Sequence, residues 1–282
     1  MSNPLTFYKM HSLGNDFMVV DAVREPFSAD PAAISIWANR NLGIGFDQLL
    51  CIGLPEDDDV DFDYQIFNAD GSRSEQCGNG TRCVALLARK TGLTNQNVIT
   101  WSSLGGRVST EFKEGGIIET RMPGPSFDRA QIPFEHPCTD LAVPLEAAGQ
   151  TFSVIPVSIG NPHAVVFLDE IRDLDVAAIG GELTHHPAFP NRANVGFCQV
   201  VNESFMRLRV YERGVGETQA CGTGACAAGV AAMVSGRGRE RIKISLPGGK
   251  LRVEWPDRDG PIQLSGDATL VYQGQMKLDE DL

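Results

Sequence analysis

No apolar stretch of this sequence reaches the roughly 18 residues that would suggest a membrane-spanning helix, and no basic-plus-apolar leader opens it. Positive charge is scarce as well: 24 Lys and Arg stand against 36 Asp and Glu, a net charge of −12. That balance argues against a nucleic-acid or anionic-membrane partner, because both rely on basic patches, and it leaves any anionic ligand to local features. Seven cysteines, an odd number in 282 residues, do not look like a secreted disulfide framework. Reduced thiols and a cytoplasmic location are expected. A dinucleotide loop is missing too, since Gly214-x-Gly216 and Gly222-x-Gly224 lack the following glycine and the acidic residue downstream. With no lysine in a recognisable Schiff-base context, the expected chemistry needs no cofactor. What remains, 42% hydrophobic and 21% charged, is ordinary for a globular chain long enough for two domains.

What the chain does have is a duplication. Cys77-Gly78-Asn79-Gly80 recurs as Cys221-Gly222-Thr223-Gly224, Ser12-Leu13-Gly14-Asn15 as Ser158-Ile159-Gly160-Asn161, and Leu104-Gly105-Gly106-Arg107-Val108 as Pro247-Gly248-Gly249-Lys250-Leu251. The order is the same and the offsets are 144, 146 and 143 residues. A repeat of that length is a whole domain, well beyond the roughly 20 to 50 residues of a solenoid unit. Two homologous halves are expected to face each other across a cleft, a common setting for small-molecule sites.

Each half reads as short strands rich in β-branched and aromatic residues, with one helix (31–41; 176–185) and a second that opens at Cys-Gly-x-Gly. Strands are expected at 5–9, 17–21, 48–52, 61–68, 98–102, 106–112 and 117–122. The second half places them at 152–158, 164–168, 195–201, 207–211, 241–246, 250–255 and 262–265. From Cys221 to Gly236 only Arg-free, acid-free, small-residue sequence appears until the end of the helix, so that helix should be buried on every side. The fold class expected is mixed α+β: two pseudo-symmetric domains, each an open β-barrel of about eight strands around a central helix. Residues 1–121 with 266–282 would form the domain carrying Cys77, and 122–265 the domain carrying Cys221. The acidic run Glu56 to Asp59 reads as a solvated loop.

A cysteine at a helix N-terminus sees the positive end of the dipole and unpaired N–H groups, and both favour thiolate. Free thiols titrate at about 8.5, and such a setting lowers that toward neutral pH, where the group works as a base. Glycines beside it let a ligand carboxylate approach the backbone donors closely. One cysteine opening an apolar helix is ordinarily a small core residue; two related by symmetry and flanked by glycine read as functional. A thiol on each side of one carbon suits removal of a proton from one face and delivery to the other. Zinc ligation by Cys77, Cys83, Cys221 and Cys226 is disfavoured by the spacing, and no metal is expected. Cys51, Cys138 and Cys198 have no repeat partner and read as structural; His185 and His186 read as surface.

Gly14-Asn15-Asp16-Phe17, Phe67-Asn68-Ala69-Asp70-Gly71-Ser72, Cys77-Gly78-Asn79-Gly80-x-Arg82-Cys83, Gly160-Asn161-Pro162-His163, Glu212-Arg213-Gly214-x-Gly216-Glu217-Thr218 and Ala220-Cys221-Gly222-Thr223-Gly224 together resemble the diaminopimelate epimerase family, over residues 6 to 272. The resemblance implies cofactor-free interconversion of LL- and meso-diaminopimelate in lysine and peptidoglycan biosynthesis. It makes Cys77 and Cys221 the two acid/base thiols. Asn15, Gln48, Asn68, Asn161, Asn194 and Arg213 become the substrate-gripping set, with Arg213 on the distal carboxylate. It implies that Gly78, Asn79, Gly222 and Thr223 supply N–H groups, that His163 and Glu212 tune the thiols and orient the substrate ammonium, and that Tyr272 lies near a homodimer contact. Gln76 and Ala164 depart from the family pattern without touching the chemistry. Proline-racemase-like enzymes share the two-thiol plan but carry His where this chain has Asn79. A redox sensor bridging Cys77 and Cys221 would use the same cysteines without needing the polar set.

Overall fold

The computed structural model describes residues 4–28, 30–74 and 77–277. Gln76 and the chain ends therefore lie outside the described residues. The fold is mixed α/β, and the chain divides into two compact units, Met1–Thr120 with Gly266–Leu282, and Arg121–Ser265.

The first unit runs β1 (Leu5–Ser12), β2 (Asn15–Asp21), α1 (Pro31–Ala38), β3 (Gln48–Gly53), β4 (Phe62–Asn68), β5 (Arg73–Ser74), α2 (Gly78–Lys90), β6 (Val98–Ser103) and β7 (Gly106–Phe112). β8 (Ile118–Met122) leads onward. The second runs β9 (Val143–Ala147), β10 (Gln150–Ser158), β11 (Pro162–Phe167), α3 (Val176–Thr184), β12 (Asn194–Asn202), β13 (Phe205–Glu212), β14 (Gly216–Thr218), α4 (Gly222–Val234), β15 (Arg241–Leu246), β16 (Gly249–Glu254) and β17 (Ile262–Gly266). β18 (Thr269–Met276) belongs to the first unit.

The strands of the two units pair in the same order, with β18, from the far end of the chain, standing in the first unit where β9 stands in the second. In the first, β1 pairs antiparallel with β18 and β2, β2 runs parallel to β3 across α1, and β3 is antiparallel to β4. β4 then pairs antiparallel with β5 and parallel with β6 across α2, and β6 is antiparallel to β7. In the second, β10 pairs antiparallel with β9 and β11, β11 is parallel to β12 across α3, and β12 is antiparallel to β13. β13 pairs with β14 and, across α4, parallel with β15, which continues to β16. Helices fill the parallel crossovers because parallel neighbours cannot be joined by a hairpin.

Register carries the duplication down to single residues. Phe17 sits opposite Gln48 and Gln48 opposite Asn68. In the second unit His163 sits opposite Asn194, and the Val195 to Tyr211 pairing brings Asn194 and Glu212 next along the same ladder. The β1–β2 hairpin turns on Leu13 and Gly14, both at positive φ (53° and 81°). That is the two-residue turn whose twist matches paired strands, and glycine is favoured there because it has no Cβ to clash.

α4 is buried along its length apart from Thr223 and its last residue, as its composition requires, and it touches β10 to β13, β15 and β16. α2 touches β1, β2, β3, β7 and β18. Small residues allow this wrapping: a Cβ on Gly229 would come 2.8 Å from the Val253 side chain. The strands that the sequence pattern does not signal are β5, β9, β14 and β18. β9 carries Pro144, a residue strands usually avoid, β5 and β14 are only 2 and 3 residues long, and β18 is largely exposed.

The α3 to β13 contact gives a stability test. A Cβ at Gly180 would lie 2.6 Å from Tyr211 Cβ, at the stiff root of that side chain. Gly180→Ala is expected to lose about 1 to 3 kcal/mol to overpacking, more than the roughly 1 kcal/mol that alanine gains in helix propensity. A melting temperature at or above that of the wild type would refute the tight contact.

Candidate active site

Both signature cysteines are helix N-caps with extended backbone, a position where Ser, Thr, Asp and Asn normally accept an N–H bond. Here sulfur does so: Cys77 Sγ accepts from the Gly80 N–H at 3.3 Å, and Cys221 Sγ from the Gly224 N–H at 3.4 Å. Thiolate accepts such a bond better than thiol, so this cap position stabilises the ionised form.

In the first unit the Cys77 thiol donates to Asn15 Oδ1 at 3.8 Å, and Asn79 Nδ2 donates to the same oxygen at 3.3 Å. Asn15 Nδ2 is anchored on Asp47 Oδ2 at 3.0 Å. Asp47 itself is held with Asp16 by Arg40. Burial raises the Asp16 pKa, but hydrogen bonds and charge from Arg40 and Lys9 outweigh it and hold the carboxyl at about 2. Gln48 Nε2 donates to Asn68 Oδ1 at 3.0 Å, and Asn68 Nδ2 to Ser72 Oγ at 3.0 Å. Asn15, Gln48 and Asn68 thus stand on three neighbouring strands, with Asn15 beside the α2 entrance.

The second unit repeats this with different chemistry. Asn161 Nδ2 lies 3.5 Å from Thr223 Oγ1, as Asn15 meets Asn79, and Thr223 Oγ1 lies 3.6 Å from Cys221 Sγ. His163 Nε2 is 2.9 Å from Asn161 Oδ1. Because that oxygen can only accept, His163 is the donor. Asn194 Oδ1 accepts the Arg213 backbone N–H at 2.9 Å, and Arg213 Nη1 donates to the Asn191 carbonyl at 2.9 Å. Glu212 Oε1 accepts from Thr218 Oγ1 at 2.5 Å.

Burial, then the Glu212 carboxylate, pushes the Cys221 thiol well above its ordinary value, against the Thr223 hydroxyl and the Gly224 N–H. From sequence the helix terminus is expected to lower this thiol; here burial and the Glu212 carboxylate outweigh the bonds from Thr223 and Gly224. Cys51 is raised to about 12 by burial, and Cys83 and Cys198 higher still, which makes all three inert. None of the seven cysteines forms a disulfide. Cys138 is half-buried beside Asp140.

Burial, followed by the Arg213 charge, lowers His163 from 6.5 to about 3. Between those values the unfolded chain binds a proton that the folded chain excludes. Stability from this residue is complete above about 6.5 and falls with pH below it, by up to about 1.4 kcal/mol per unit. An NMR titration is expected to show the His163 ring neutral from pH 5 to 8, and a midpoint inside that range would refute the buried setting.

Asp47 joins these networks without any signal in the sequence, and Ser12, Arg82 and Thr218, which lie in the repeated or motif segments, join them without a role having been read for them. His185 is exposed and caps α3; the Glu56 to Asp59 loop is exposed, with Asp57 and Asp59 on Arg107. Tyr272 is exposed on β18, edge-on to Phe7 at 6.2 Å. Among the described residues no group of three or more His, Cys, Asp or Glu is placed to hold a metal, and no helix is long and apolar enough to cross a membrane.

Compared with known proteins, the chain matches the family model described as diaminopimelate epimerase over residues 7–126 and 155–271. It is 47% identical over 274 residues to a protein named diaminopimelate epimerase from Pseudomonas entomophila, covering 97% of this chain and 99% of that one. A protein of the same name from Pseudomonas aeruginosa is 45% identical over the same shares. Among solved structures, a hydroxyproline epimerase from Agrobacterium vitis superposes with TM-score 0.70 at 15% identity, over 99% of this chain and 94% of that one. A PhzF-family phenazine biosynthesis protein from Bacillus anthracis gives 0.70 at 16%, over 98% and 100%. At such identities these two show a shared fold.

Proposed function

This chain belongs to the diaminopimelate epimerase family, and from that premise we propose that it interconverts LL- and meso-diaminopimelate in lysine and peptidoglycan biosynthesis, using Cys77 and Cys221 as its acid/base pair. The observation that carries the mechanism is the duplicated N-cap: one thiol per unit, at the same place in the same connectivity, accepting the N–H three residues on.

Inversion of an α-carbon needs a base for one face and an acid for the other. Cys221, enclosed and beside Glu212, keeps its proton and serves as the acid, while Cys77, half-buried at its helix entrance, serves as the base. The reverse direction exchanges the roles. The N–H groups of Gly78, Asn79, Gly222 and Thr223 stand at helix positions that have no intrahelical acceptor. They hold the α-carboxylate and stabilise the charge that grows on it as the proton leaves. Asn15, Gln48, Asn68, Asn161, Asn194 and Arg213 grip the substrate. His163 acts by holding Asn161, and Glu212 both raises Cys221 and attracts the substrate ammonium. The reaction asks for no cofactor and no metal. Assembly as a homodimer through the Tyr272 region and a cytoplasmic location complete the reading, and sedimentation of wild type against Tyr272→Ala checks the first.

Purified reduced protein mixed with LL-diaminopimelate should produce the meso isomer, resolved by chiral chromatography. No conversion under reducing conditions, or conversion that stops short of equilibrium from both sides, rejects the assignment.

A further inference from the structure

We propose that Arg82 is a positioning residue of this reaction: its buried guanidinium acts through the Asn79 side chain to orient the Asn79 and Asn15 amides on the Cys77 thiol. The inference deepens the reading above and rests on Cys77 being one of the acid/base thiols.

Arg82 is fully buried. Its fork donates to Asn79 Oδ1 (2.5 Å), Ser12 Oγ (2.8 Å), the Gly78 carbonyl (3.1 Å) and the Asp267 carbonyl (3.3 Å). A guanidinium has donors and no acceptor, so the amide facing it must present oxygen. The Asn79 NH₂ is thereby turned to Asn15 Oδ1 at 3.3 Å. Asn15 is held from its other end by Asp47, which accepts from its Nδ2, so its oxygen faces the Cys77 thiol. Each amide has a charged group behind it that forbids the flipped orientation, because a flip would set donor against donor or acceptor against acceptor. A buried cation is costly to desolvate, and a packing role alone could be filled by an apolar side chain of similar size.

The duplicated fold supplies the contrast. At the repeat offset of 144 residues, Arg82 corresponds to Cys226, which is fully buried, and Asn79 corresponds to Thr223. The second thiol has Glu212 as its charged neighbour. One scaffold thus carries a cation near the entrance of α2 and a carboxylate near that of α4. A difference of this kind biases which of the two sulfurs carries the proton at the start.

The test uses the full reduced chain. Arg82→Gln is expected to lower kcat about 30-fold in both directions with KM changed less than about threefold, on the scale of a lost charge-assisted bond. Iodoacetamide labelling of Cys77, followed by mass spectrometry against Cys138 as internal reference, should slow about tenfold. Arg82→Lys, which restores charge without the fork, should recover the labelling rate more than kcat. Asn79→Ala leaves Arg82 its other acceptors and should reproduce the kcat loss, and adding Arg82→Gln to it should cost less than about threefold more, since the two act as one unit. If Arg82→Gln does not fold, Asn79→Ala decides. Wild-type kcat and Cys77 labelling in Arg82→Gln, wild-type kcat in Asn79→Ala, or fully multiplicative losses in the double variant overturn the proposal. Those results would leave the two-thiol reading standing, whereas Cys77→Ala with normal turnover would remove that reading whatever Arg82 does.

Discussion

Cys77→Ala and Cys221→Ala are each expected to lower epimerisation by about a thousandfold or more, because the group that remains can act on one face only. The N-cap geometry also gives a way to separate chemistry from structure. Each alanine deletes a cap bond and should cost about 1 kcal/mol of stability. Serine restores the cap, since its oxygen accepts the same N–H, but its hydroxyl does not ionise near neutral pH. Cys77→Ser and Cys221→Ser should therefore regain the melting temperature and remain inactive. If serine at either position restores turnover along with stability, the sulfurs are structural caps and the two-base assignment fails. In D₂O the wild-type enzyme should place deuterium in product from the first turnover, while recovered substrate stays unlabelled. Early label in recovered substrate from both the LL and the meso side would point to one base that removes and returns the proton.

The second large effect concerns specificity. Proline and lysine are expected to have kcat/KM about 10⁴-fold below diaminopimelate, because a site built to bond a second carboxylate and amino group leaves its polar groups unpaired when they are missing. On the proposed reading Arg213 is the residue on which this turns: its backbone N–H is tied to Asn194 and one guanidinium arm to the Asn191 carbonyl, and the proposal gives the rest of the fork to a carboxylate. Arg213→Met should cost about 100-fold in kcat/KM for diaminopimelate and leave the residual proline rate unchanged. Comparable rates for proline and diaminopimelate in the wild type would move the assignment to the proline-racemase-like alternative.

Much of this was legible without coordinates. The repeated Cys-Gly-x-Gly marked two helix entrances, and the structure has helices starting one residue after each cysteine. The charge-free run after Cys221 announced a helix buried on all sides, and α4 is one. β-branched and aromatic content located the longer strands, several of which, such as β2 and β3, are buried on both faces. It was silent on β18, whose place comes from pairing with β1 at the far end of the chain, and on β9, which carries Pro144, a residue strands usually avoid.

Local sequence, then, determined the helices, the longer strands, the duplication and the two thiols, since propensity, periodicity and capping act over a few residues and leave a mark at that range. Tertiary structure alone decided the rest. Gln48 and Asn68 are 20 residues apart and meet through strand register; Arg82 reaches Ser12 across 70 residues. The protonation of Cys221 and His163 depends on how completely they are enclosed, and Cys221 also on the Glu212 carboxylate. Desolvation and charge act through space, and the chain does not record them at any single position.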